Sequence, residues 1–296
     1  MQIKTQEISL PLLIEKEIRL FIKRIDLTHP VISGNKWYKL KYNLLEAKEK
    51  GYKTLLTFGG AYSNHIAATA CAAKENGFKS IGIIRGEEVF PLNSTLVFAK
   101  KKDMRLHHVS RSDYRRKSTK DFIKNLRNKF GDFYLIPEGG TNEFAIKGAA
   151  EILDNVDAQE FICCAIGTGG TIAGIINSSN NNQKIIGFPA IKGTKQLEKD
   201  IKRWADIKNL NFISSYVCGG YAKLNKELIQ FINEFYSVHN IPLDAIYTGK
   251  MMMGILDLIE KDYFPKGSSI LSMHTGGLQG NKGINEQYNL NLPHNF

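Results

Sequence analysis

The stretch FICCAIGTGGTIAGII, residues 161–176, contains three kinds of sequence in succession. Phe161–Ile166 is an apolar run, Gly167–Thr171 is a glycine-rich turn, and Thr171–Asn177 has a helical pattern. A membrane-spanning helix needs about 20 mainly apolar residues, and the glycines interrupt this stretch well before that length. The pattern therefore predicts a buried strand, a tight loop and a helix, which together form the repeating unit of an α/β fold.

The same alternation continues along the rest of the chain. The predicted strands are Thr54–Phe58, Ser80–Ile84, Arg105–Val109, Phe133–Ile136, Phe161–Ile166, Lys184–Phe188 and Ser269–Met273. The predicted helices are Asn64–Glu75, Leu92–Lys102, Tyr114–Lys129, Asn142–Leu153, Thr171–Asn177, Lys223–Tyr236 and Lys250–Glu260. This order predicts βαβ units and parallel sheets. Open parallel sheets bind ligands at the carboxyl ends of their strands, so we expect the site in the loops that follow strands.

The composition limits the class of protein. The chain has 296 residues, of which 43% are hydrophobic and 23% charged, and this suits two lobes or one large α/β unit. The net charge is +11, but the densest cluster, Arg111–Lys117, is short, and no zinc-finger or RNA-recognition spacing accompanies it. Residues 1–20 carry charges throughout and show no signal-peptide core. We therefore expect no nucleic-acid partner and no membrane partner.

The four cysteines indicate a reducing compartment. They are Cys71, Cys163, Cys164 and Cys218, and none of them forms a CxxC pair, so the sequence predicts no metal site. Cys163 and Cys164 are adjacent in a predicted strand, and their side chains should point to opposite faces of the sheet. Buried free thiols are typical of a cytoplasmic protein, which is the location that we expect.

The glycine-rich loop after the strand is a candidate anion site. Successive glycines in Gly167–Thr171 let backbone N–H groups converge, two threonines add hydroxyls, and the following helix adds a partly positive N-terminus. Ile172 stands where the dinucleotide pattern G-x-G-x-x-G requires glycine, and no Gly-Lys-Ser/Thr follows as in a P-loop. The loop is therefore either a tight strand–helix connection or a cradle for one phosphate group.

A second stretch, SGNKWYKLKY at residues 33–42, places Gly34 and Asn35 directly before Lys36. By itself, Lys36 is open to three interpretations: a solvated charge, a phosphate clamp or a reactive amine. A reactive lysine, a phosphate cradle and an α/β sheet together are what pyridoxal phosphate requires of a protein. The combination therefore suggests pyridoxal phosphate as the cofactor, while the three interpretations of Lys36 stay open at this point.

Five motifs, taken in order, resemble the 1-aminocyclopropane-1-carboxylate deaminase and D-cysteine desulfhydrase family. They are GNKWYKL (34–40), GGAYSNH (59–65), GTGGTIAG (167–174), YTGK (247–250) and HTGG (274–277). The resemblance spans residues 21–277 and implies the fold type II, tryptophan-synthase-β-like architecture, with two open parallel-sheet α/β domains. It implies a large cofactor-binding domain of residues 1–42 and 144–296, with residues 43–143 forming a small inserted domain.

The resemblance also implies roles for individual residues. Lys36 would form the Schiff base with the cofactor, for which its amine must be unprotonated, and Lys39, one helical turn on, would help to hold the phosphate. Ser63 and Asn64 precede a helix, where free N–H groups suit a carboxylate, although capping of that helix alone would also explain them. The other implied cofactor-binding residues are Asn64, Gly167, Thr168, Gly169, Gly170, Thr171 and Thr248. The implied substrate-binding residues are Ser63, Asn64, His65 and Thr275, and the implied catalytic residues besides Lys36 are Tyr221 and Tyr247.

Thr248 distinguishes the two activities of the family. The deaminases have a glutamate at this place near the pyridine nitrogen, and the desulfhydrases have threonine or serine. A hydroxyl cannot hold the pyridine protonated as a carboxylate does, so the electron sink is milder and suits elimination of a good leaving group. Thr275 agrees, because the deaminases tend to have leucine there. Two residues depart from the family pattern: Tyr38 stands in place of an arginine and Ser33 in place of a glycine. These departures affect the prediction of the substrate.

The predicted reaction is α,β-elimination of a D-amino acid, in which D-cysteine gives pyruvate, hydrogen sulfide and ammonia. Lys36 or Tyr247 would remove the α-proton. The first alternative is 1-aminocyclopropane-1-carboxylate deamination to 2-oxobutanoate and ammonia. Others are a D-serine ammonia-lyase or racemase on the same fold, and a protein that holds the cofactor or an anion without catalysis. The resemblance also implies a homodimer.

Overall fold

The computed structural model describes residues 3–191, 193–220 and 222–294. Its strands are β1 (Thr5–Ile8), β2 (Arg19–Lys23), β3 (Thr54–Gly59), β4 (Lys79–Arg85), β5 (Met104–Val109), β6 (Tyr134–Ile136), β7 (Phe161–Ile166), β8 (Lys184–Pro189), β9 (Leu210–Phe212) and β10 (Ser269–Met273). Its helices are α1 (Pro11–Glu15), α2 (Asn35–Glu49), α3 (Asn64–Glu75), α4 (Ser94–Lys101), α5 (Arg111–Arg115), α6 (Lys120–Phe130), α7 (Glu143–Ala149), α8 (Gly170–Ser178), α9 (Thr194–Lys202), α10 (Lys226–His239), α11 (Thr248–Glu260) and α12 (Gln279–Tyr288).

The described strands form two sheets. The larger sheet has the order β1-β2-β10-β7-β8-β9 and is parallel except for the antiparallel pair of β1 and β2. The smaller sheet has the order β5-β4-β3-β6 and is parallel throughout. Parallel neighbours need crossover connections, which the helices between them supply. The predicted α/β class is confirmed.

Helices cover both faces of the larger sheet. Cys163 packs in the apolar cluster that includes α10 and α11, whereas Cys164 packs in the cluster that includes α7, α8 and α9. The prediction that the two adjacent cysteines point to opposite faces is therefore confirmed. Because both faces are buried, β7 is apolar along its whole length instead of alternating between apolar and polar residues.

The smaller sheet lies within the predicted inserted domain. Its two faces pack against α3 and α4 on one side and against α5 and α6 on the other. The first predicted boundary, between residues 42 and 43, falls inside α2. The division into residues 1–42 with 144–296 and residues 43–143 stays a prediction.

The predicted helix Tyr114–Lys129 is wrong, because this segment forms two helices, α5 and α6. Thr119 marks the break between them. Its hydroxyl accepts a hydrogen bond from the backbone N–H of Phe122 (3.4 Å) and donates to the carbonyl of Arg116 (2.9 Å). A threonine in this position begins a new helix, because it satisfies an N–H group that the first turn leaves free.

Glycine-rich loops follow the carboxyl ends of β3, β6, β7 and β10, where the sequence predicts the site, and they comprise residues 59–65, 138–140, 167–171 and 274–277. β7 and β10 are neighbours in the larger sheet, and β3 and β6 are neighbours in the smaller one, so each sheet contributes two of these loops. Among the described helices, none combines the length and the apolar character needed to cross a bilayer.

Candidate active site

The loop between β7 and α8 presents an uncapped helix N-terminus. Gly169 adopts a left-handed conformation (φ 84°) at the N-cap of α8, and no side chain there accepts a hydrogen bond from the first turn. The N–H groups of this turn therefore lack the usual capping partner, and they carry the partly positive end of the helix dipole. This arrangement fits an anion of the size of a phosphate group.

Lys39 brings a buried cation to the same helix end. Its Nζ donates to the carbonyl of Gly139 (2.6 Å) and to the hydroxyl of Thr141 (3.0 Å), and that hydroxyl lies 2.6 Å from the Thr168 hydroxyl. A Cβ on Gly170 would lie 3.0 Å from Nζ of Lys39. Burial, and then the charge of Lys36, lower the pKa of Lys39. A cation beside a helix N-terminus is unfavourable unless an anion separates them, so the residues fit a bound phosphate.

Lys36 lies in the first turn of α2, which is held against the loop after β10. Gly34 has φ 66°, and a Cβ there would lie 2.0 Å from the carbonyl oxygen of Thr275, so only glycine fits. The Asn35 backbone N–H donates to the same carbonyl (3.2 Å). This close approach of backbone to backbone fixes the direction in which α2 begins, and with it the position of Lys36.

A short chain of hydrogen bonds connects Lys36 to the phosphate cradle. Nζ of Lys36 donates to Oδ1 of Asn35 (3.0 Å), and Nδ2 of Asn35 donates to the Thr171 hydroxyl (2.8 Å). Burial lowers the pKa of Lys36 to about 8, and the charge of Asp244 opposes that shift. At neutral pH a useful fraction of this amine is therefore unprotonated, as a nucleophilic lysine requires.

Ser63 and Asn64 lie where β3 leads into α3. The Ser63 hydroxyl accepts from the Ile66 N–H (3.4 Å) and so caps α3. The Asn64 side chain packs against the last glycine-rich loop, since a Cβ on Gly277 would lie 2.7 Å from Nδ2 of Asn64. Oδ1 of Asn64 is buried and has no hydrogen-bond partner among the described residues. A buried amide oxygen without a partner fits a site that a polar ligand completes.

His65 lies on the floor of the site. Nε2 is 2.7 Å from the Thr57 hydroxyl, which donates its own proton to the Ile136 carbonyl (2.9 Å), so Nε2 carries the hydrogen and donates to Thr57. Nδ1 is buried without a partner in the described part of the chain, and a Cβ on Gly140 would lie 3.1 Å from Cε1. Burial, and then the charges of Lys36 and Lys39, lower the pKa of His65 well below its usual value. The ring is therefore neutral and lies beside the cationic cluster.

The N-terminus of α11 is organised by Asp244. Its carboxylate accepts hydrogen bonds from the backbone N–H groups of Ile246 (3.0 Å), Tyr247 (2.9 Å) and Thr248 (2.8 Å). The Thr248 hydroxyl donates to the same carboxylate (2.7 Å) and accepts from the Asp244 N–H (2.9 Å). Thr248 is fully buried, and Asp244 is nearly so. Thr248 is therefore one half of a buried hydroxyl–carboxylate pair.

Tyr247 places its ring over the phosphate loop, because a Cβ on Gly167 would lie 3.2 Å from Cε1 and 3.3 Å from the hydroxyl of Tyr247. Thr275 is buried, and its carbonyl contacts the start of α2 as described above. Tyr221 lies outside the described residues. The structure thus brings the other predicted site residues to one region, while their assignment to cofactor or substrate stays a prediction.

Three site residues were missed from sequence: Asn35, Thr141 and Asp244. Asp244 had a local signal, since an aspartate a few residues before a helix pattern is a typical capping residue. The only signal for Asn35 was its position next to Lys36. The sequence contained no signal for Thr141, because the contacts of Thr141 with Lys39 and Thr168 join segments that are far apart in the chain.

Comparison with protein families and curated proteins gives a consistent set of matches. The family model described as "Pyridoxal-phosphate dependent enzyme" matches residues 3–276. A protein of Pyrococcus abyssi named "Putative 1-aminocyclopropane-1-carboxylate deaminase" is 31% identical over 287 residues, which cover 90% of this chain and 86% of that protein. The mitochondrial bifunctional D-cysteine desulfhydrase/1-aminocyclopropane-1-carboxylate deaminase of Arabidopsis thaliana is 29% identical over 293 residues, covering 88% of this chain and 73% of that protein.

Among solved structures, one described as an ACC deaminase homologue superposes with a TM-score of 0.82 at 28% sequence identity. The match covers 97% of this chain and 93% of that one.

Proposed function

The chain belongs to the family of pyridoxal-phosphate-dependent enzymes, and we propose that within it the protein is a lyase that eliminates the β-substituent of a D-amino acid, with D-cysteine as substrate. Family membership confirms the predicted cofactor, pyridoxal phosphate, and the predicted fold type II architecture. It also confirms the predicted resemblance to the 1-aminocyclopropane-1-carboxylate deaminase and D-cysteine desulfhydrase group.

One observation carries the proposal for the cofactor. Lys36 and Lys39 lie close to the uncapped N-terminus of α8, and neither amine has a carboxylate partner among the described residues, so this place favours an anion. Lys39, Thr168 and the N–H groups of Gly169–Thr171 would hold the phosphate, and Lys36 would bind the cofactor covalently. When bound, pyridoxal phosphate supplies an electron-accepting ring that stabilises negative charge at the α-carbon of the substrate.

The chain's own residues would orient the substrate and move its proton. The N-terminus of α3, with Ser63 and Asn64, would bind the substrate carboxylate, because its first-turn N–H groups favour negative charge. The Lys36 amine, with its pKa lowered to about 8, or the Tyr247 hydroxyl would take the α-proton. His65 is neutral and hydrogen-bonded to Thr57, so it would support the floor of the site as an uncharged group.

Thr248 favours D-cysteine over the cyclopropane substrate. The resemblance implies that Thr248 would lie near the ring nitrogen, where a hydroxyl would support a weaker electron sink than a carboxylate does. Expulsion of a thiol needs less assistance than opening a carbon ring. The competing proposal is deamination of 1-aminocyclopropane-1-carboxylate. Its support is that several similar curated proteins are named as deaminases of that compound.

A product assay on the purified enzyme with bound pyridoxal phosphate tests the proposal. With D-cysteine we expect pyruvate and sulfide in equal amounts, and we expect much slower turnover of L-cysteine and of 1-aminocyclopropane-1-carboxylate. Lys36→Ala should abolish product formation. Lys41→Ala is the matched control, because Lys41 lies on the same helix but is exposed and ion-paired with Glu151 (2.6 Å).

The outcomes separate the alternatives. Faster release of 2-oxobutanoate from 1-aminocyclopropane-1-carboxylate would replace the desulfhydrase proposal with the deaminase one. Turnover of D-serine with little sulfide from D-cysteine would favour an ammonia-lyase. A protein that binds the cofactor through Lys36 but converts none of these compounds would favour non-catalytic binding.

We also propose a cytoplasmic homodimer. The four cysteines are free, as expected in a reducing compartment. The homodimer rests on the family resemblance, and sedimentation of the 33.3 kDa chain at about twice its monomer mass would support it.

A further inference from the structure

The positive charge of the chain is concentrated in one segment. Residues 100–129 contain twelve lysines and arginines and three aspartates, a net charge of +9, whereas the whole chain has a net charge of +11. The remaining residues are therefore nearly neutral in sum. This concentration crosses α4, β5, α5 and α6, so it is not visible as one charged run in the sequence.

The fold wraps this segment around one edge of the molecule. β5 is the edge strand of the smaller sheet. α4, which precedes it, packs on one face of that sheet through Leu96 and Ala99, and α6, which follows it, packs on the other face through Phe122 and Leu126. The end of α6 also contacts β5, because Arg105 lies over the Phe130 ring (4.9 Å to its centroid) and His107 lies 3.2 Å from Lys129. Residues 100–129 therefore surround one edge strand, and we call this surface the basic edge.

Most of the cations on the basic edge are not neutralised. Asp103 pairs with Lys74, which lies outside the segment, and Asp113 is 3.7 Å from Arg116. Lys129 lies 3.2 Å from His107, a contact between two basic groups, and burial followed by the charges of Lys129 and Arg105 lowers the pKa of His107. The cations without a carboxylate partner among the described residues are Lys100, Lys101, Lys102, Arg105, Arg111, Arg115, Lys120, Lys124 and Lys129.

The chemistry of this surface favours a phosphate polyanion. Stable protein interfaces have an apolar, aromatic core, and membrane-inserting surfaces expose large apolar side chains. Residues 100–129 all lie in the described part of the chain, and none of their large apolar side chains is exposed. What they expose is a run of lysine and arginine, and arginine matches phosphate oxygens with two parallel hydrogen bonds.

We propose that the basic edge binds the sugar–phosphate backbone of nucleic acid without regard to sequence. The expectation of no nucleic-acid partner rested on the shortness of the cluster Arg111–Lys117 and on the lack of a zinc-finger or RNA-recognition spacing. The folded chain adds β5 and α6 to that cluster, and binding to the backbone alone needs no such spacing. The cradle at α8 is not part of this surface, so the proposal is independent of the substrate of the enzyme.

Charge reversal on one helix face tests the proposal. Lys120 and Lys124 are exposed, four residues apart and near the start of α6, and neither has a carboxylate partner in the described residues. The matched control is Lys195 and Lys199, which are exposed, four residues apart and near the start of α9 on the larger sheet. The experiment compares K120E/K124E with K195E/K199E in the enzyme with bound pyridoxal phosphate, and circular dichroism melting checks that both variants fold.

The readout is fluorescence anisotropy of a labelled single-stranded RNA and a DNA duplex of about 20 nucleotides per strand, over a series of KCl concentrations. We expect the affinity of the wild type to fall steeply as the salt concentration rises. K120E/K124E should bind at least about tenfold more weakly at low salt, and its affinity should depend less on salt. K195E/K199E should bind within about twofold of wild type. Equal losses in both variants, or no salt-dependent binding by the wild type, would overturn the proposal. Tighter binding to polyglutamate or to vesicles containing phosphatidylserine would assign the surface to a different anionic partner and would also overturn it.

Discussion

At Lys36, burial and the carboxylate of Asp244 act on the same ammonium group in opposite directions. Burial has the larger effect, because transfer of a charge from water costs more than a carboxylate beyond hydrogen-bond distance returns. With a pKa of about 8, roughly one amine in ten is neutral at pH 7, against about one in three thousand for an ordinary lysine. This single side chain therefore decides how readily the protein captures an aldehyde cofactor.

The first prediction concerns the pH dependence of that capture. The neutral amine reacts, and its population rises with pH until pH exceeds the pKa of Lys36. The rate at which the protein without cofactor develops visible absorbance on addition of pyridoxal phosphate should rise with pH through a midpoint near 8 and level off above it. Asp244→Asn should move the midpoint to lower pH, because the charge that favours the ammonium is removed. A midpoint near 10.5 would show that Lys36 is not desolvated.

At the scale of elements, the buried Asp244 carboxylate caps the N-terminus of α11. The second prediction is that Asp244→Ala destabilises the protein by about 3 kcal/mol or more, because three N–H groups and the Thr248 hydroxyl lose a charged acceptor. Asp244→Asn should cost less, since an amide oxygen still accepts. Urea unfolding of the protein without cofactor measures both, with the exposed Asp132→Ala as the control. A loss for Asp244→Ala no larger than that of the control would contradict the buried-cap interpretation.

The contact of α2 with α7 gives the third prediction. Gly148 lies in α7, and a Cβ there would lie 1.9 Å from the carbonyl oxygen of Tyr38 in α2. Replacing glycine by alanine inside a helix normally stabilises the helix by about 1 kcal/mol. A loss of stability in this variant would therefore come from the clash between α7 and α2. We expect Gly148→Ala to destabilise the protein and to weaken cofactor binding, because α2 carries Lys36 and Lys39.

Thermal melting and pyridoxal phosphate titration measure the two effects of Gly148→Ala. Lys147→Ala, at the exposed neighbouring position of α7, should leave both values nearly unchanged. A Gly148→Ala protein as stable as wild type would contradict the close contact between α2 and α7.

At the scale of the whole molecule, the phosphate cradle joins distant parts of the chain. Lys39 comes from α2, Gly139 and Thr141 follow β6 of the smaller sheet, and Thr168 follows β7 of the larger sheet. A ligand that binds all of them stabilises the folded chain only, by about 2.7 kcal/mol at a concentration one hundred times its dissociation constant. The fourth prediction is that saturating inorganic phosphate raises the melting temperature of the protein without cofactor by about 5 °C.

Lys39→Met should abolish most of that response. Lys48→Met, an exposed position on the same helix, should leave it intact, and chloride at equal ionic strength corrects for general screening. An equal response in both variants would place phosphate elsewhere, for example on the basic edge.

Local pattern was enough to predict much of the fold. The helix Asn64–Glu75 and the strands Phe161–Ile166 and Ser269–Met273 were predicted with the bounds that the structure has, because apolar periodicity and flanking glycines act within a few residues. The motif around Lys36 and the loop Gly167–Thr171 were identified for the same reason. The break between α5 and α6 was missed, because the amphipathic pattern continues across Thr119 and only its hydrogen bonds reveal the cap.

The amino-acid sequence by itself determined the α/β class, the cofactor chemistry and the loops that carry it, since glycine turns, strand length and the neighbours of a lysine are local properties. The tertiary structure alone decided the meeting of Lys39 with Thr141 and Thr168 and the gathering of charge at the basic edge. The physical reason is that the partners of a buried cation or hydroxyl are set by where distant strands end in space. Periodicity along the chain carries no information about that distance.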